Sequence, residues 1–218
     1  MDPIPHKSDR LFYVEMDNWD PNRGWNDDDP ESLPNQVTYR DMIGLMESDI
    51  PTYQGGSFKA SLYIYPDPDV GRPYKVISRM CFSDFFKLFE PPFEYGSGWD
   101  SRADEGPEPV LVLSHETNQK LFGGENSVGK EVQVEDRIFK VVGVLGPWRP
   151  FPKYYDPHNG AFDETEDIYM PFHFNRPLEV RSAGNTSNWQ TFDWSDWDQY
   201  LASEAIWIQY WVQLDTEE

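Results

Sequence analysis

Three aspartates, Asp193, Asp196 and Asp198, lie in a run that also carries Trp189, Trp194 and Trp197, with Trp207 and Trp211 shortly after. Paired carboxylates between aromatic walls are the apparatus of glycoside cleavage, one protonating the leaving oxygen and the other acting as base or nucleophile. The chain holds 39 acidic residues, however, so carboxylates fall beside tryptophans by composition alone. A packing or docking surface explains the same residues without chemistry.

The other candidate motifs resolve in the same direction. Gly124-Glu-Asn-Ser-Val-Gly129-Lys130 has the G-x-x-x-x-G-K spacing of a phosphate-cradling loop. That loop needs a strand before it, a helix N-terminus after it, and a hydroxyl following the lysine to hold magnesium. Here a helix is expected before and a strand after, and Glu131 stands in the hydroxyl position, so the segment reads as a turn. His6, His115, His158 and His173 are scattered, with no i,i+4 pair and no zinc spacing. Ser114-His115 is not a catalytic pair, because neighbours on a helix point apart, and no G-x-S-x-G elbow is present. The loop 17–34 carries Asp17, Asp20, Asp27, Asp28, Asp29 and Glu31 without the spacing of a calcium loop, and reads as solvated. Cys81 is the only cysteine, so no internal disulfide is expected; it reads as a small core residue. No catalytic residue, cofactor or metal site is expected.

A net charge of −21 over 218 residues excludes a nucleic-acid binder, since phosphate neutralisation needs an excess of Lys and Arg. It equally argues against docking on anionic lipid through a basic face. No apolar run approaches 18 residues and no basic-then-apolar signal opens the chain, so the chain as it stands reads as soluble. Nine Trp, twelve Tyr and fourteen Phe in so acidic a chain point to a surface combining rings with carboxylates.

The elements that must position these groups centre on Val110–Leu145. Val110–Leu113 is a short buried strand, and Ser114 caps a helix over His115–Phe122. Gly123-Gly124 ends that helix. Glu131–Val134 and Ile138–Leu145 make a hairpin around Glu135-Asp136-Arg137. Upstream, Leu11–Met16 reads as a strand, Thr38 to Ser48 as a capped helix, and Phe58–Tyr65 with Tyr74–Cys81 as a strand pair. Asp84–Leu88 reads as a short helix and 94–109 as an acidic Gly/Pro linker. Downstream, Ile168–Phe172 is a strand, Trp194, Trp197 and Leu201 fall at helical spacing, and Ile206–Leu214 alternates. Its expected solvent face carries Trp207, Gln209, Trp211 and Gln213, before a solvated end at Asp215–Glu218.

The segments Asp84-Phe-Phe-Lys-Leu-Phe89, Pro107–Leu113, Lys120-Leu-Phe-Gly-Gly124, Ser127-Val-Gly-Lys130 and Phe139-Lys-Val-Val-Gly-Val-Leu145 occur in an order that resembles the MacB-like periplasmic core domain of ABC transporter permeases. The resemblance is close over roughly 82–146. It implies an α+β, two-lobed fold: a discontinuous porter-like β-α-β layer at 11–90 and 174–218, an inserted, mostly β subdomain at 91–173, and a tail at 1–10. The family continues with a further helix and strand, so the porter-like part is expected to be cut short at the C-terminus. The resemblance further implies a non-catalytic domain on the periplasmic or extracellular face of a bacterial inner membrane. Membrane helices would lie on either side, and a separate cytoplasmic ATP-binding subunit would hydrolyse ATP. Its partners would be a second permease copy or related permease and a periplasmic adaptor, in efflux or another transmembrane transport task. The expected contacts are aromatic: Trp148, Phe151, Tyr154 and Tyr155 in one loop, and Trp194, Trp197, Trp207 and Trp211 in the other. Ordinary burial is the competing reading for all eight. A secreted carbohydrate- or peptide-binding module, or less readily a glycosidase, remains the alternative.

Overall fold

A computed structural model of the protein describes residues 4–215 except Pro30, Val70 and Pro107. The strands and helices run β1 (Leu11–Tyr13), β2 (Val37–Thr38), α1 (Tyr39–Met46), β3 (Tyr53–Tyr65), β4 (Tyr74–Cys81), α2 (Phe85–Phe89), β5 (Phe93–Gly96), α3 (Ser101–Glu105), β6 (Val110–Leu113), α4 (His115–Phe122), β7 (Glu131–Val134), β8 (Arg137–Leu145), β9 (Ile168–Pro171), α5 (Trp197–Ala202) and β10 (Ile206–Gln213). The fold is α+β around one large mixed sheet, as expected.

Hydrogen bonding closes part of that sheet on itself. β3 pairs with β4, β4 runs parallel to β9, β9 pairs with β6, β6 runs parallel to β8, β8 pairs with β7, and β7 returns to β3 through Ile64 opposite Val134. β10 extends the sheet from the first half of β3, and β1 pairs with β10. The length of β3 makes both roles possible. Its first half serves β10 and its last residues serve β7. Strands on both sides of residue 91 thus share one continuous ladder.

Two cores follow from strand alternation. Leu62, Ile64, Val76, Met80, Leu111, Leu113, Phe139, Val141, Ile168 and Met170 belong to one core. Cys81, Val110, Val112, Leu145 and Tyr169, with Phe85, Leu88 and Phe89 of α2, form the other. The continuous apolar run Val110–Leu113 is explained by this: its alternate residues enter different cores, so neither face meets water.

Local signals act as their chemistry requires. Thr38 Oγ1 accepts from the Asp41 amide while the Asp41 carboxylate accepts from the Thr38 amide, a complete capping box at α1. Ser114 Oγ accepts from Thr117 N at 3.1 Å, and Gly123 ends α4 at φ +66°, a conformation costly for other residues.

Several expectations are corrected. The stretch 94–109 is not a linker without structure, since it contains the end of β5 and all of α3. Asp100 caps α3 and Asp104 accepts from the Ser83 amide, so acids of the expected linker hold the segment in place. The hairpin loop is Glu135-Asp136 alone, because Arg137 pairs with Val134. β3, expected from Phe58, begins five residues earlier, and the bare Gly56 backbone admits Met42 of α1. Residues 4–10, read as part of a tail, are tied down by buried Ile4 and by Lys7, whose Nζ lies 2.7 Å from Glu90. The residues expected on the solvent face of β10 are also interior: a bulge at its start turns Trp207 into the first core against Phe58 and Phe172, Gln209 is covered by Asp156 of the segment 153–166, and Gln213 is nearly buried. Of the expected solvated end, Thr216, Glu217 and Glu218 lie outside the described residues.

Candidate functional site

The centre of the molecule's polar chemistry is Arg79, an arginine placed mid-strand on β4 and wholly buried. Its guanidinium donates to both Asp156 and Glu166 through Nη2 and to Gln209 Oε1 at 3.1 Å through Nη1. Gln209, on β10, in turn donates to Asp156. Lys153 Nζ lies 3.6 Å from Glu166 and donates to Glu164 O at 3.1 Å, and Tyr155 O–H donates to Glu166 Oε2 at 2.7 Å. Two cations thus face two carboxylates with none of the four exposed.

Burial alone would push both carboxyls up. For Asp156 and Glu166 the adjacent Arg79 guanidinium outweighs that, with help from Gln209 and Asn159 at Asp156 and from Lys153 and Tyr155 at Glu166. Both are held below the usual carboxylate range. Burial pushes Tyr155 well above the ordinary phenol value, so it stays a donor. Nothing here is open to substrate, and the arrangement is that of a tie rather than of a catalyst.

What the network ties down is the excursion 146–167. Trp148 stacks on Tyr155 at 5.0 Å and 15°, Tyr154 O–H donates to Phe89 O at 3.0 Å, and Thr165 Oγ1 donates to Trp148 O at 3.2 Å. Asn159 donates to Asp156 at 2.9 Å and accepts from the Asn185 amide, which latches the 182–193 loop to the same segment. At the tip, Phe151 and Phe162 lie with ring centroids 5.2 Å apart, yet 76% and 70% exposed. Lys59 reaches Asp163 at 3.3 Å beside them. A solvent-facing pair of phenylalanines, carried on a segment tied down by buried hydrogen bonds, is therefore the surface feature this segment presents.

The eight aromatics expected at contacts divide by burial. Tyr155 and Trp207 are fully buried, and Trp197 is 9% exposed. Trp148, Tyr154 and Trp211 are partly covered and pack against the second core. Phe151 and Trp194 face solvent. Sequence reasoning missed Phe162, whose place among Gly160, Asp163 and Glu164 offered no periodicity. It also missed Arg79, which sits in an alternating strand where a cation ordinarily marks the wet face.

The carboxylates weighed as acid and base have local duties. Asp193 accepts from the amide and hydroxyl of Ser195, and Asp196 caps α5 by accepting from Gln199 N at 3.0 Å. Asp198 pairs with Arg176 at 2.8 Å. The G-x-x-x-x-G-K segment follows α4 and leads into β7; its Lys130 lies 4.8 Å from the Phe122 ring centre. His6 pairs with Glu90 and His115 with Glu94. His158 meets Asn35, and His173 packs edge-on to Phe82. Among the described residues, no three His, Cys, Asp or Glu are grouped to hold a metal ion, and no helix is long and apolar enough to cross a membrane.

Comparison with known proteins gives a consistent family. Over 63 residues, 29% of this chain, the sequence is 36% identical to the macrolide export ATP-binding/permease protein MacB of Syntrophobacter fumaroxidans. Over 63 residues it is also 32% identical to the pyoverdine export ATP-binding/permease protein PvdT of Pseudomonas aeruginosa. The aligned parts span 9% and 10% of those relatives. The fold matches the periplasmic region of MacB from Actinobacillus actinomycetemcomitans with a TM-score of 0.60 at 14% identity, covering 99% of this chain and 79% of that one. The family model of the MacB-like periplasmic core domain matches residues 2–217, and the chain belongs to that family.

Proposed function

We propose that this domain is the extracytoplasmic lever of an ABC transporter permease, moved as one body and acting on a partner through the exposed Phe151–Phe162 pair. One observation carries this reading: a continuous path of strand pairing, hydrogen bonds and ion pairs joins the strands nearest the chain ends to the excursion that bears that pair. Leu11 pairs with Gln213, and Leu214 N donates to Arg10 O at 2.9 Å, so the two ends run side by side. From β10 the path continues through Gln209 into Asp156, Arg79 and Glu166, and so to the excursion bearing the rings. A load applied at β1 and β10 would arrive at the tip rather than dissipate in a loose loop.

In this reading the ATP is hydrolysed by a nucleotide-binding part on the cytoplasmic side, and this domain has no turnover of its own. Membrane segments join it at β1 and β10, and the 11–90 with 174–218 and 91–173 parts act as a porter-like layer and its insert. The relatives named for export of macrolides and pyoverdine support export as the task. A second permease copy and a periplasmic adaptor are the proposed partners. The test uses the full-length permease in lipid, with spin labels at the exposed positions Ile50 and Phe162 and with ATP cycling. The distance between labels in two copies should change with nucleotide, while the Ile50–Phe162 distance inside one copy stays constant. No nucleotide-dependent change, or a change confined within one copy, would count against a rigid lever.

A further inference from the structure

A second surface is built for a small ligand. α1, the start of β3, the turn after β4 and α3 line an open cavity of about 450 Å³, within the ~300–1,000 Å³ usual for small-molecule sites. Its lining includes an apolar group: Ile43 at the exposed rim, Met46 of α1, and the buried Phe82, which stacks on Phe172 at 5.0 Å and 17°. Its walls are acidic, with Glu47, Asp84, Asp104 and Glu105, and no Lys or Arg is among the lining residues.

The charged residues that line the cavity favour one sign of ligand. Asp104 is fixed by the Ser83 amide at 2.9 Å and the Trp99 indole N–H at 3.2 Å. Asp84 accepts from the Gln54 amide at 3.2 Å and from Lys87, which reaches it at 3.1 Å from outside. Those contacts orient both carboxylates without filling the space between them. Burial lowers the His173 pKa, so its ring adds no cation at neutral pH. Burial raises the Asp104 pKa, the mark of a carboxylate that lacks a full counter-charge.

We propose that this cavity binds a cationic amphiphile: an amine whose ammonium sits among the Asp84, Asp104 and Glu105 carboxylates while its apolar body lies on Ile43, Met46 and Phe82. An anion is repelled by every charged wall, and a neutral apolar molecule leaves the carboxylates unmatched. This site is independent of any motion of the domain and of the phenylalanine pair.

The test titrates the 218-residue chain, labelled with ¹³C at Met and Ile methyls, with n-octylammonium, 1-octanol and octanoate. Octylammonium should shift the Met46 and Ile43 methyls saturably, at least tenfold more tightly than octanol, with octanoate weaker still. Ile43→Lys puts a cation at an exposed rim position where folding is not at stake, and should weaken octylammonium at least tenfold. Glu47→Gln with Glu105→Gln, also exposed, should weaken it severalfold and leave octanol unchanged. Equal binding of all three probes, no saturable shift, or shifts spread over the acidic surface and indifferent to Ile43→Lys would each overturn the assignment.

Discussion

Arg79 Nη1 lies 3.1 Å from Gln209 Oε1 although the two residues are 130 apart in the chain. β3 separates their strands in the sheet, so the pair reaches across a whole strand on one face. The excursion 146–167 closes over that bridge with Asp156, Glu166 and Lys153. The molecule thus fastens a long segment without helix or strand by fully buried charges. A buried network of paired charges contributes little net stability, but removing one member leaves an uncompensated charge.

Arg79→Met is therefore expected to destabilise the domain by about 3–5 kcal/mol. The cost arises from stranding Asp156 and Glu166, not from lost packing, since methionine fills much of the same space. A lowered urea midpoint with an unchanged slope would match this expectation. A midpoint within experimental error of the parent would show that the network carries no such burden.

The pH dependence of the same variant should reverse. Asp156 and Glu166 have folded pKa values below the usual range, so their contribution is present above the unfolded values, about 4, and is lost as pH falls through the folded ones. Without Arg79, burial dominates and both carboxyls rise above their unfolded values. Their charged forms then cost stability as pH rises. Relief of the −21 net charge on acidification acts on both proteins alike. The difference in unfolding free energy between parent and Arg79→Met should thus shrink steadily between pH 7 and pH 3. A difference independent of pH would remove Arg79 as the cause of the low carboxyl pKa values.

Two glycines make a paired prediction. A Cβ on Gly56 would lie 2.5 Å from Met42 Sδ and 2.9 Å from Ile208 Cγ2, inside a full core. Gly56→Ala should cost about 1–3 kcal/mol by overpacking. Gly44, on the exposed side of α1, has nothing within 4 Å of such a Cβ, so Gly44→Ala should stabilise by about 0.5–1 kcal/mol through helix propensity. Thermal melts of both variants test the placement of α1 against β3 and β10 in one comparison.

The legible parts of this fold are those whose signals are local. Ser114, Gly123 and the alternation of Glu131–Val134 each specify their element within a few residues, and the 110–145 unit emerged nearly as read. What stayed hidden depends on distant partners. Arg79 meets Asp156 and Glu166 across 77 and 87 residues, and nothing beside it in β4 distinguishes it from an outward lysine. Trp207 looked solvent-facing because alternation does not announce the bulge that turns it into the first core, and Gln209 because its cover, Asp156, comes from a segment without periodicity. β5 and α3 escaped notice for a related reason. Asp100 and Asp104 serve as a cap and as an acceptor, roles that composition reads as mere solubility.

Stability and docking should separate within a single loop. Tyr155 and Phe151 lie four positions apart, one fully buried and the other 76% exposed. Tyr155→Phe removes the hydroxyl that donates to Glu166 and leaves that carboxylate short of a partner, a loss of about 1–3 kcal/mol. Phe151→Ser combined with Phe162→Ser removes rings that meet mostly water and each other, so unfolding should move by no more than about 0.5 kcal/mol. Under the proposed lever reading, the double variant in the complete permease should keep ATP hydrolysis while losing transport, since motion would still reach the tip but find no grip on a partner. Tyr155→Phe should show the opposite profile, with transport retained wherever the protein remains folded. Full transport by the double serine variant would exclude the phenylalanine pair as the working surface and direct attention to Trp194, the other outward ring of the set.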